Sequence, residues 1–368
     1  MSPGARPGRR EVPGLAERSD RFRAAPLVRL ELGSLVVSAF TGVRILVTGG
    51  GGFFGNRVVA ELRDRGADQV FVPRSRQYDL RDPGATRNLF SECRPELVIH
   101  LAARVGGIGA NRRHPGTFFR DNMAMGLNVL EQARACGARK LIQTATVCAY
   151  PKLAPLPFKE DDLWAGYPEE TNAPYGVAKR ALHVMAAAYR QEFGCNFVTV
   201  FPVNLYGPGD SFDLGTCHVI PAMIRKTVEA LELGHPDIQL WGDGTATREF
   251  LYVDDAARGL CDAAERYDGP DPVNLGSGSE ISMKALARKI VNIAGYSGSI
   301  VWDSTQPNGQ PRRVLDVSRA RDRFGFVAMM SLDEGLARTV EWFRTHQAVI
   351  RAAEWPGVAR QDDPNATV

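Results

Sequence analysis

The sequence has no dense cluster of one charge, which limits its possible partners. Its 368 residues carry 45 lysines and arginines against 42 aspartates and glutamates, so the formal net charge is only +3. Beyond the first residues, no run of Lys and Arg is dense enough to follow a nucleic-acid backbone. We therefore predict that the protein has no nucleic-acid partner.

Paired cysteines are also lacking. No CxxC spacing, which is typical of zinc sites and redox motifs, occurs among the six cysteines. These are Cys93, Cys136, Cys148, Cys195, Cys217 and Cys261. We predict free thiols in a reducing cytoplasm and no metal site.

No apolar run is long enough to cross a membrane. The early piece LGSLVVSAF is short, and Arg29 and Glu31 interrupt the longer run around it. The first residues, MSPGARPGRREVPG, match a secretory signal poorly. We predict that residues 1–42, which are rich in arginine, form a disordered extension. The alternatives are a targeting peptide and translation from a start upstream of the true one.

From Arg44 onward, apolar β-rich runs alternate with segments of helical spacing. The runs are RILVT, QVFVP, ELVIHLAA, KLIQTAT and NFVTVFPV. This alternation is typical of βαβ units and predicts an α/β fold, a Rossmann-type doubly wound parallel sheet over residues 43–210. After residue 210 the alternation loosens. We predict a smaller C-terminal substrate lobe over 211–345, with some strands returning to the first domain, and a tail over 346–368.

Glycines follow the first predicted strand in the stretch LVTGGGGFFG. Gly49, Gly52 and Gly55 are spaced as a dinucleotide-binding turn requires: one for the turn, one for close approach of a pyrophosphate, and one for helix packing. The helix that follows offers free N–H groups to the phosphates. A plain glycine-rich turn is the alternative, but the strand–turn–helix context favours dinucleotide binding.

The end of the second predicted strand distinguishes between the nicotinamide cofactors. NAD sites usually carry an acidic residue there. The sequence instead has Arg74 and Arg76, with no carboxylate before Asp79. Two guanidinium groups suit the 2′-phosphate of NADP(H), which we predict as the cofactor. The alternative is two solvated surface arginines.

Tyr175 and Lys179 are four residues apart near the start of a long predicted helix, so they share a helix face. A nearby ammonium group favours phenolate, and we expect Lys179 to lower the pKa of Tyr175. Thr146, at the end of the preceding strand, carries a hydroxyl that can hold a substrate oxygen beside Tyr175. Together these residues predict a proton donor and acceptor at the carboxyl edge of the sheet.

These motifs together resemble the extended short-chain dehydrogenases/reductases, and longer stretches resemble the GDP-L-fucose synthase family. The resemblance extends from about Arg44 to about residue 345 and rests on stretches that are not general superfamily motifs. They are HLAARVGGIGANRRHP, CAYPKLAPLPFKEDDL, EETNAPYGVAKR, VNLYGPGDSFD, CHVIPAMIRK and WGDGTATREFLYVDD.

The resemblance implies further site residues. The cysteine and histidine that epimerise the sugar in that family correspond to Cys148 and His218, and the family's catalytic serine corresponds to Thr146. Lys179 would also hold the nicotinamide ribose. The residues around GDP and the sugar correspond to Asn204, Lys226, Trp241 and Arg248. Lys226 replaces an arginine, and GANRRHP carries an arginine pair where smaller polar residues are expected.

Cys148 and His218 also suit epimerisation on chemical grounds. A C4 ketone acidifies the C3 and C5 protons, and inversion needs one group to remove a proton and another to deliver one to the opposite face. A thiol and an imidazole both titrate near neutral pH. The alternatives are a small buried cysteine and a polar residue at a helix start.

The resemblance implies an enzyme that converts GDP-4-keto-6-deoxy-D-mannose to GDP-L-fucose with NADPH, by 3,5-epimerisation followed by 4-keto reduction. One alternative is the same chemistry on another GDP-linked 4-keto sugar, such as a heptose, in surface-polysaccharide or antibiotic synthesis. Another is a non-catalytic NADP-binding sensor, although such proteins typically lose Tyr175 or Lys179. The resemblance also implies a homodimer through a four-helix bundle of helices 115–136 and 173–193.

Overall fold

The structure is a computed structural model that describes residues 31–32, 35–36, 38–306 and 308–353. Its strands are β1 (Glu31–Leu32), β2 (Leu35–Val36), β3 (Arg44–Thr48), β4 (Gln69–Phe71), β5 (Leu97–His100), β6 (Lys140–Thr144), β7 (Phe197–Pro202), β8 (Asn204–Tyr206), β9 (Asp237–Trp241), β10 (Thr247–Tyr252), β11 (Val273–Leu275), β12 (Glu280–Ser282) and β13 (Ser299–Asp303). Its helices are α1 (Phe53–Asp64), α2 (Pro83–Cys93), α3 (Ile108–Arg113), α4 (Pro115–Ala135), α5 (Ala173–Phe193), α6 (Val219–Leu233), α7 (Val253–Arg266), α8 (Met283–Ala294), α9 (Ser318–Phe324) and α10 (Leu332–Ala353). None of these helices is both long and apolar enough to pass through a membrane.

A parallel sheet of six strands is the centre of the first lobe, in the order β11-β7-β6-β5-β3-β4. All residues of β5 and β6 are buried, as expected for a parallel sheet covered by helices on both faces. The predicted α/β fold is therefore confirmed. The strand order reverses between β3 and β5, and ligands of such sheets bind outside the carboxyl ends of the strands at this point.

The second lobe contains the sheet β12-β10-β8, the strand pair β13-β9 and the helices α6, α8 and α10. Strand β11 returns to the first sheet beside β7, as predicted. Two segments cross the predicted boundary at residue 210. Strand β8 pairs with β10 of the second lobe, and α7 packs on α1 of the first.

A segment without helix or regular strand, residues 308–316, joins the two lobes. We call it the strap. On one side, the backbone N–H groups of Thr247 and Glu249 donate to the strap carbonyls of Pro311 and Arg313, at 2.9 and 3.1 Å. On the other side, the N–H of Phe158 donates to Val314 at 2.9 Å. The strap is therefore fixed to the second lobe by β10 and to the first by the loop after β6.

Two terminal predictions need correction. Residues 38–42 are ordered, because Phe40 has no exposed surface and lies in the core of the first lobe, while the Gly42 N–H donates to Asp68 at 2.9 Å. β1 and β2 also pair with each other. The other residues of the extension lie outside the described residues.

The predicted tail is also partly wrong. Helix α10 continues through residues 346–353, and Arg351 pairs with Glu232 of α6 at 2.9 Å. The sequence here offered no glycine or proline stop before Pro356, so the helix extends further than its polar composition suggested. Residues 354–368 lie outside the described residues.

We predict that residues 1–37 and residues 38–42 of the extension contribute differently to stability. Deleting residues 1–37 should change the free energy of unfolding little, whereas deleting residues 1–42 should cost about 3–5 kcal/mol, the usual cost of removing a buried phenylalanine. Urea unfolding of both deletions measures this, and Phe40→Ala in the full chain is the matched control. Equal stability of the two deletions would show that Phe40 adds nothing to the core.

Candidate active site

The glycine turn lies between β3 and α1, at the point where the strand order reverses. Gly49 has φ of +73°, in the left-handed region that favours glycine. A Cβ there would also lie 2.6 Å from the backbone nitrogen of Ala102. A Cβ on Gly55 would collide with the Gly49 carbonyl oxygen. Gly49 therefore makes the turn, and Gly55 allows α1 to pack against it.

Gly52 is different, because no neighbouring group forbids a side chain there. A Cβ would only make ordinary contact, at 3.4 Å, with the Gly49 carbonyl oxygen. Gly52 is the N-cap of α1, makes no side-chain cap, and the first helical turn carries no acidic residue. The helix N-terminus is therefore open and electropositive, which suits a pyrophosphate group.

Arg74 lies directly against this turn. Its guanidinium group occupies the space that a Cβ on Gly51 would need. Arg76 is exposed in the turn that follows β4, two residues further along the chain. Asp79, the first carboxylate after the strand, is instead paired with Arg81 at 2.8 Å. The turn and Arg74 thus form a continuous surface for a phosphorylated dinucleotide, and the residues present fit NADP(H).

We predict that Arg74 and Arg76 set cofactor preference. Replacing both with alanine should weaken NADPH binding by about tenfold or more and leave NADH binding nearly unchanged, because only NADPH carries the 2′-phosphate. Fluorescence titration of both cofactors measures this, with Arg87→Ala, an exposed arginine on α2, as the control. Equal losses for both cofactors would show that these arginines do not read the 2′-phosphate.

Thr146, Tyr175 and Lys179 come together at the carboxyl edge of the sheet, as predicted. Thr146 follows β6 and caps a 3-10 turn by accepting from the N–H of Cys148 at 3.2 Å. Its hydroxyl is also hydrogen-bonded to Tyr175. Lys179, on the buried face of α5, donates to the carbonyl oxygen of Thr144 at 3.0 Å.

The prediction that Lys179 lowers the pKa of Tyr175 is wrong. Burial raises the pKa of Tyr175, the charge of Cys148 raises it further, and the hydrogen bond from Thr146 only partly opposes them. Burial lowers the pKa of Lys179 to about 8, and its ammonium group is directed at Thr144. At neutral pH Lys179 is therefore still protonated, while Tyr175 holds its proton and is suited to donate it.

Cys148 lies within the same cluster, two residues after Thr146 and beneath the start of α5. A Cβ on Gly176 would collide with the Cys148 carbonyl oxygen, so the helix packs closely on this turn. The sulphur is half-buried and accepts a hydrogen bond from Arg313 of the strap, with Nη1 3.4 Å from Sγ. Cys148 is therefore partly exposed and is in contact with a cation.

His218 approaches from the second lobe as the N-cap residue of α6. The segment before it is held to the first lobe, because the N–H of Gly107 donates to the Thr216 carbonyl at 2.9 Å. Desolvation lowers the pKa of His218, although part of its surface remains accessible. We infer that it lies inside an open cleft, as a neutral imidazole at physiological pH.

The other predicted residues also lie in the second lobe. Asn204 donates to the Glu249 carbonyl at 2.9 Å, and Lys226 donates to the Gln239 carbonyl at 2.8 Å. Trp241 ends β9 with 56% of its surface exposed, and its ring lies 4.0 Å from the Cβ position of Gly109. An exposed indole at this edge offers a face for a flat ring such as a purine base.

Among these cations, Arg248 has the most strongly shifted pKa. Burial, with a contribution from neighbouring Arg313, lowers its pKa to about 10, and its Nη2 donates to the carbonyl of Asn308 at 3.1 Å. Two guanidinium groups therefore lie near Cys148. Such a pair suits a substrate that carries negative charge, such as a nucleoside diphosphate.

Sequence reasoning missed the strap. Gln310 and Arg313 are buried beside Cys148, yet they belong to a segment without periodicity, QPNGQPRRVLD. The only local signal was an arginine pair after a proline, which resembles a solvated turn. Their position depends on backbone pairing with β10, and sequence spacing does not reveal this.

Comparisons with known proteins identify the family. Residues 45–276 match the model of the NAD dependent epimerase/dehydratase family. The probable GDP-L-fucose synthase 1 of Oryza sativa subsp. japonica is 38% identical over 82% of this chain and 92% of its own. The solved structure of a GDP-L-fucose synthetase from Naegleria fowleri bound to NADP is 29% identical, with a TM-score of 0.77, over 84% of this chain and 96% of that one.

A second solved structure carries a different sugar in its description. It is a GDP-6-OMe-4-keto-L-xylo-heptose reductase from C. jejuni, 26% identical with a TM-score of 0.77, covering 83% of this chain and 98% of that one. The Oryza sativa relative has the higher sequence identity, and the match spans nearly its whole length. The chain therefore belongs to the NAD-dependent epimerase/dehydratase family, and within it to the GDP-L-fucose synthases.

Proposed function

We propose that the protein converts GDP-4-keto-6-deoxy-D-mannose to GDP-L-fucose with NADPH, by 3,5-epimerisation and then reduction of the C4 ketone. The observation that carries this proposal is the arrangement around Cys148. A half-buried thiol, the hydroxyls of Thr146 and Tyr175, and two guanidinium groups, the buried one of Arg313 and the half-buried one of Arg248, lie close together there. The relative in Oryza sativa, whose name states this product, supports the same reaction.

For the epimerisation, we propose Cys148 and His218 as the acid–base pair. The C4 ketone acidifies the neighbouring C–H bonds, and removal of a proton places the electron pair on the C4 oxygen as an enolate. Cys148 takes the proton on the side of the first lobe. The protonated form of His218, a minor fraction at neutral pH because its pKa is lowered, returns one from the second lobe. Their positions on different lobes are consistent with action on opposite faces of the sugar ring.

For the reduction, we propose Tyr175 as the proton donor to the C4 oxygen. When bound, NADPH supplies the hydride that reduces C4. Tyr175 holds its proton at neutral pH, and the Thr146 hydroxyl, already hydrogen-bonded to it, orients the substrate oxygen. Lys179, which donates to the Thr144 carbonyl, is proposed to hold the nicotinamide ribose.

We propose that the base and the phosphates of GDP are held by the second lobe. Trp241 offers its exposed face to guanine, while Arg248 and Lys226 provide positive charge for the diphosphate. Lys226 carries a point charge where an arginine would offer two donors. Asn204 lies on β8 next to β10 and is positioned by its bond to Glu249.

Turnover of GDP-4-keto-6-deoxy-D-mannose with NADPH, with the product sugar identified, tests the proposal. GDP-L-fucose is the expected product. The likeness to the heptose reductase favours one second candidate, a GDP-linked 4-keto heptose, so both sugars should be assayed side by side. Faster turnover of the heptose would reassign the substrate, and turnover of neither sugar would refute the proposal.

We further propose a homodimer through α4 and α5. These helices pack on each other so closely that a Cβ on Gly126 would collide with Leu182. Their outer faces expose apolar side chains, with Leu127 at 42% and Val184 at 47% exposure. Two copies of this helix pair would bury these side chains as a four-helix bundle.

We predict that a charge on this face separates the subunits. Leu127→Lys should shift the protein from dimer to monomer, because a buried ammonium group without a partner opposes association. Analytical ultracentrifugation measures the change, and Leu233→Lys, an exposed leucine at the end of α6, is the control. A monomeric wild-type protein would contradict the proposal.

The predicted cytoplasmic location, supported by the free thiols, stays a prediction.

A further inference from the structure

The strap brings a buried arginine to the sulphur of Cys148. Arg313 Nη1 lies 3.4 Å from Sγ in donor geometry. The arginine is 5% exposed, whereas the cysteine is half-buried. These residues are 165 positions apart, so no local sequence pattern connects them.

The guanidinium group is held in place from both lobes. Its Nε donates to the side-chain oxygen of Gln310 at 3.2 Å, and Gln310 donates to the Lys152 carbonyl at 3.1 Å. On the other side, the buried carboxylate of Glu249 accepts from the N–H of Leu315 at 2.7 Å. Arg313 is therefore fixed at the sulphur by the strap and by β10.

No acidic side chain forms an ion pair with Arg313 among the described residues. The polar partners of its side chain there are the neutral Gln310 amide and the sulphur. A second cation, Arg248, lies nearby. Its pKa is lowered by burial and by Arg313 but raised by Cys148, Glu169 and Glu280. A buried cation requires an anionic or polar partner, and Cys148 is the group in contact that can become an anion.

We propose that Arg313 is the charge partner of Cys148 and holds its sulphur as the thiolate that removes the sugar proton. The catalytic meaning of this inference rests on the proposed function. The thiolate lone pair forms the S–H bond as the C–H bond breaks, and the C–H electrons move to the C4 oxygen. Arg313 keeps its own protons throughout.

Alkylation of Cys148 by iodoacetamide in the absence of substrate tests this inference. The extent of alkylation at this cysteine is followed by mass spectrometry of the peptide that contains it. Arg313→Gln removes the charge, and Arg313→Lys keeps it. Arg312→Gln is the matched control, since Arg312 is the neighbouring residue but is exposed and bonded to Glu280.

The expected result is a change in the pH dependence of alkylation. At about pH 6.5, below the range in which free cysteine titrates, Arg313→Gln should react several-fold more slowly, roughly three- to tenfold. At about pH 9.5 it should react as fast as wild type or faster, because a less stabilised thiolate is more nucleophilic. Arg313→Lys should restore much of the rate at the lower pH, and Arg312→Gln should match wild type.

Two outcomes would overturn the inference. Equal rates for Arg313→Gln and wild type at both pH values would show that the guanidinium does not act on the sulphur. The same slowing at both pH values would show a change of access only. If Arg313→Gln does not fold, the far-ultraviolet absorbance difference between wild type and Cys148→Ser decides: a thiolate signal at neutral pH is expected, and its absence refutes the inference.

The result is independent of the proposed function, because alkylation requires no sugar nucleotide. An enzyme that shows the expected alkylation pattern but turns over no GDP-4-keto sugar would refute the proposed function and keep Arg313 as the partner of Cys148. An enzyme that makes GDP-L-fucose but shows no effect of Arg313→Gln on alkylation would do the reverse.

Discussion

Tyr175→Phe is expected to stop reduction while epimerisation continues. The substitution removes the proton donor to C4 and leaves Cys148, His218 and the dinucleotide turn in place. NADPH oxidation should fall by about 10²- to 10⁴-fold, the usual contribution of a positioned acid. Exchange of the C3 and C5 protons with deuterated water, measured by NMR, should remain within a few-fold of wild type.

A second tyrosine on the same helix provides the control. Tyr189 bonds to Glu131 at 2.8 Å, close to the far end of α5, and Tyr189→Phe should leave both half-reactions unchanged. If Tyr175→Phe lost exchange and reduction equally, Tyr175 would be needed to build the site rather than to donate a proton. If it lost neither, another group would protonate the C4 oxygen.

Local patterns in the sequence were sufficient to predict the part of the site that lies on the first sheet. The glycine turn needs backbone conformations and contacts that only glycine allows, as the positive φ of Gly49 and the packing at Gly55 show. The pair Tyr175 and Lys179 follows from helix geometry. In both cases neighbouring residues in the chain determine the local geometry, so spacing alone predicts it.

Long-range packing determines what the sequence did not reveal. Arg313 reaches Cys148 only because the strap pairs with β10, and Phe40 is buried only because the residues before β3 fold back onto the core. The pKa of Tyr175 is a further example. The spacing placed an ammonium group nearby, but the burial that opposes it depends on the whole fold.

The boundary of the second lobe shows the same limit. The stretch REFLYVDD looks like one strand, yet β10 ends at Tyr252 and α7 begins at Val253. Two carboxylates, Asp254 and Asp255, lie in the first turn of that helix, where negative charge is favoured. This start signal was present in the sequence, but the apolar run before it obscured it.

Cys148→Ala is expected to have the opposite effect to Tyr175→Phe. Without its base, exchange of the C3 and C5 protons should fall by about 10²- to 10⁴-fold. Any remaining NADPH oxidation should reduce the unepimerised ketone to a D-configured sugar, which chromatography and NMR of the product distinguish from GDP-L-fucose. Cys195→Ala, a half-buried cysteine after α5, is the control and should behave as wild type.

His218→Gln then tests the direction of proton transfer. Because Cys148 remains, proton removal and return on its own side should continue, so deuterium should still enter the sugar. Delivery to the opposite face should fail, and inversion should therefore fall more than exchange does. Equal losses of inversion and exchange would mean that His218 does not act as the separate proton donor. Exchange at the wild-type rate in Cys148→Ala would leave that cysteine as a packing residue and refute its role in epimerisation.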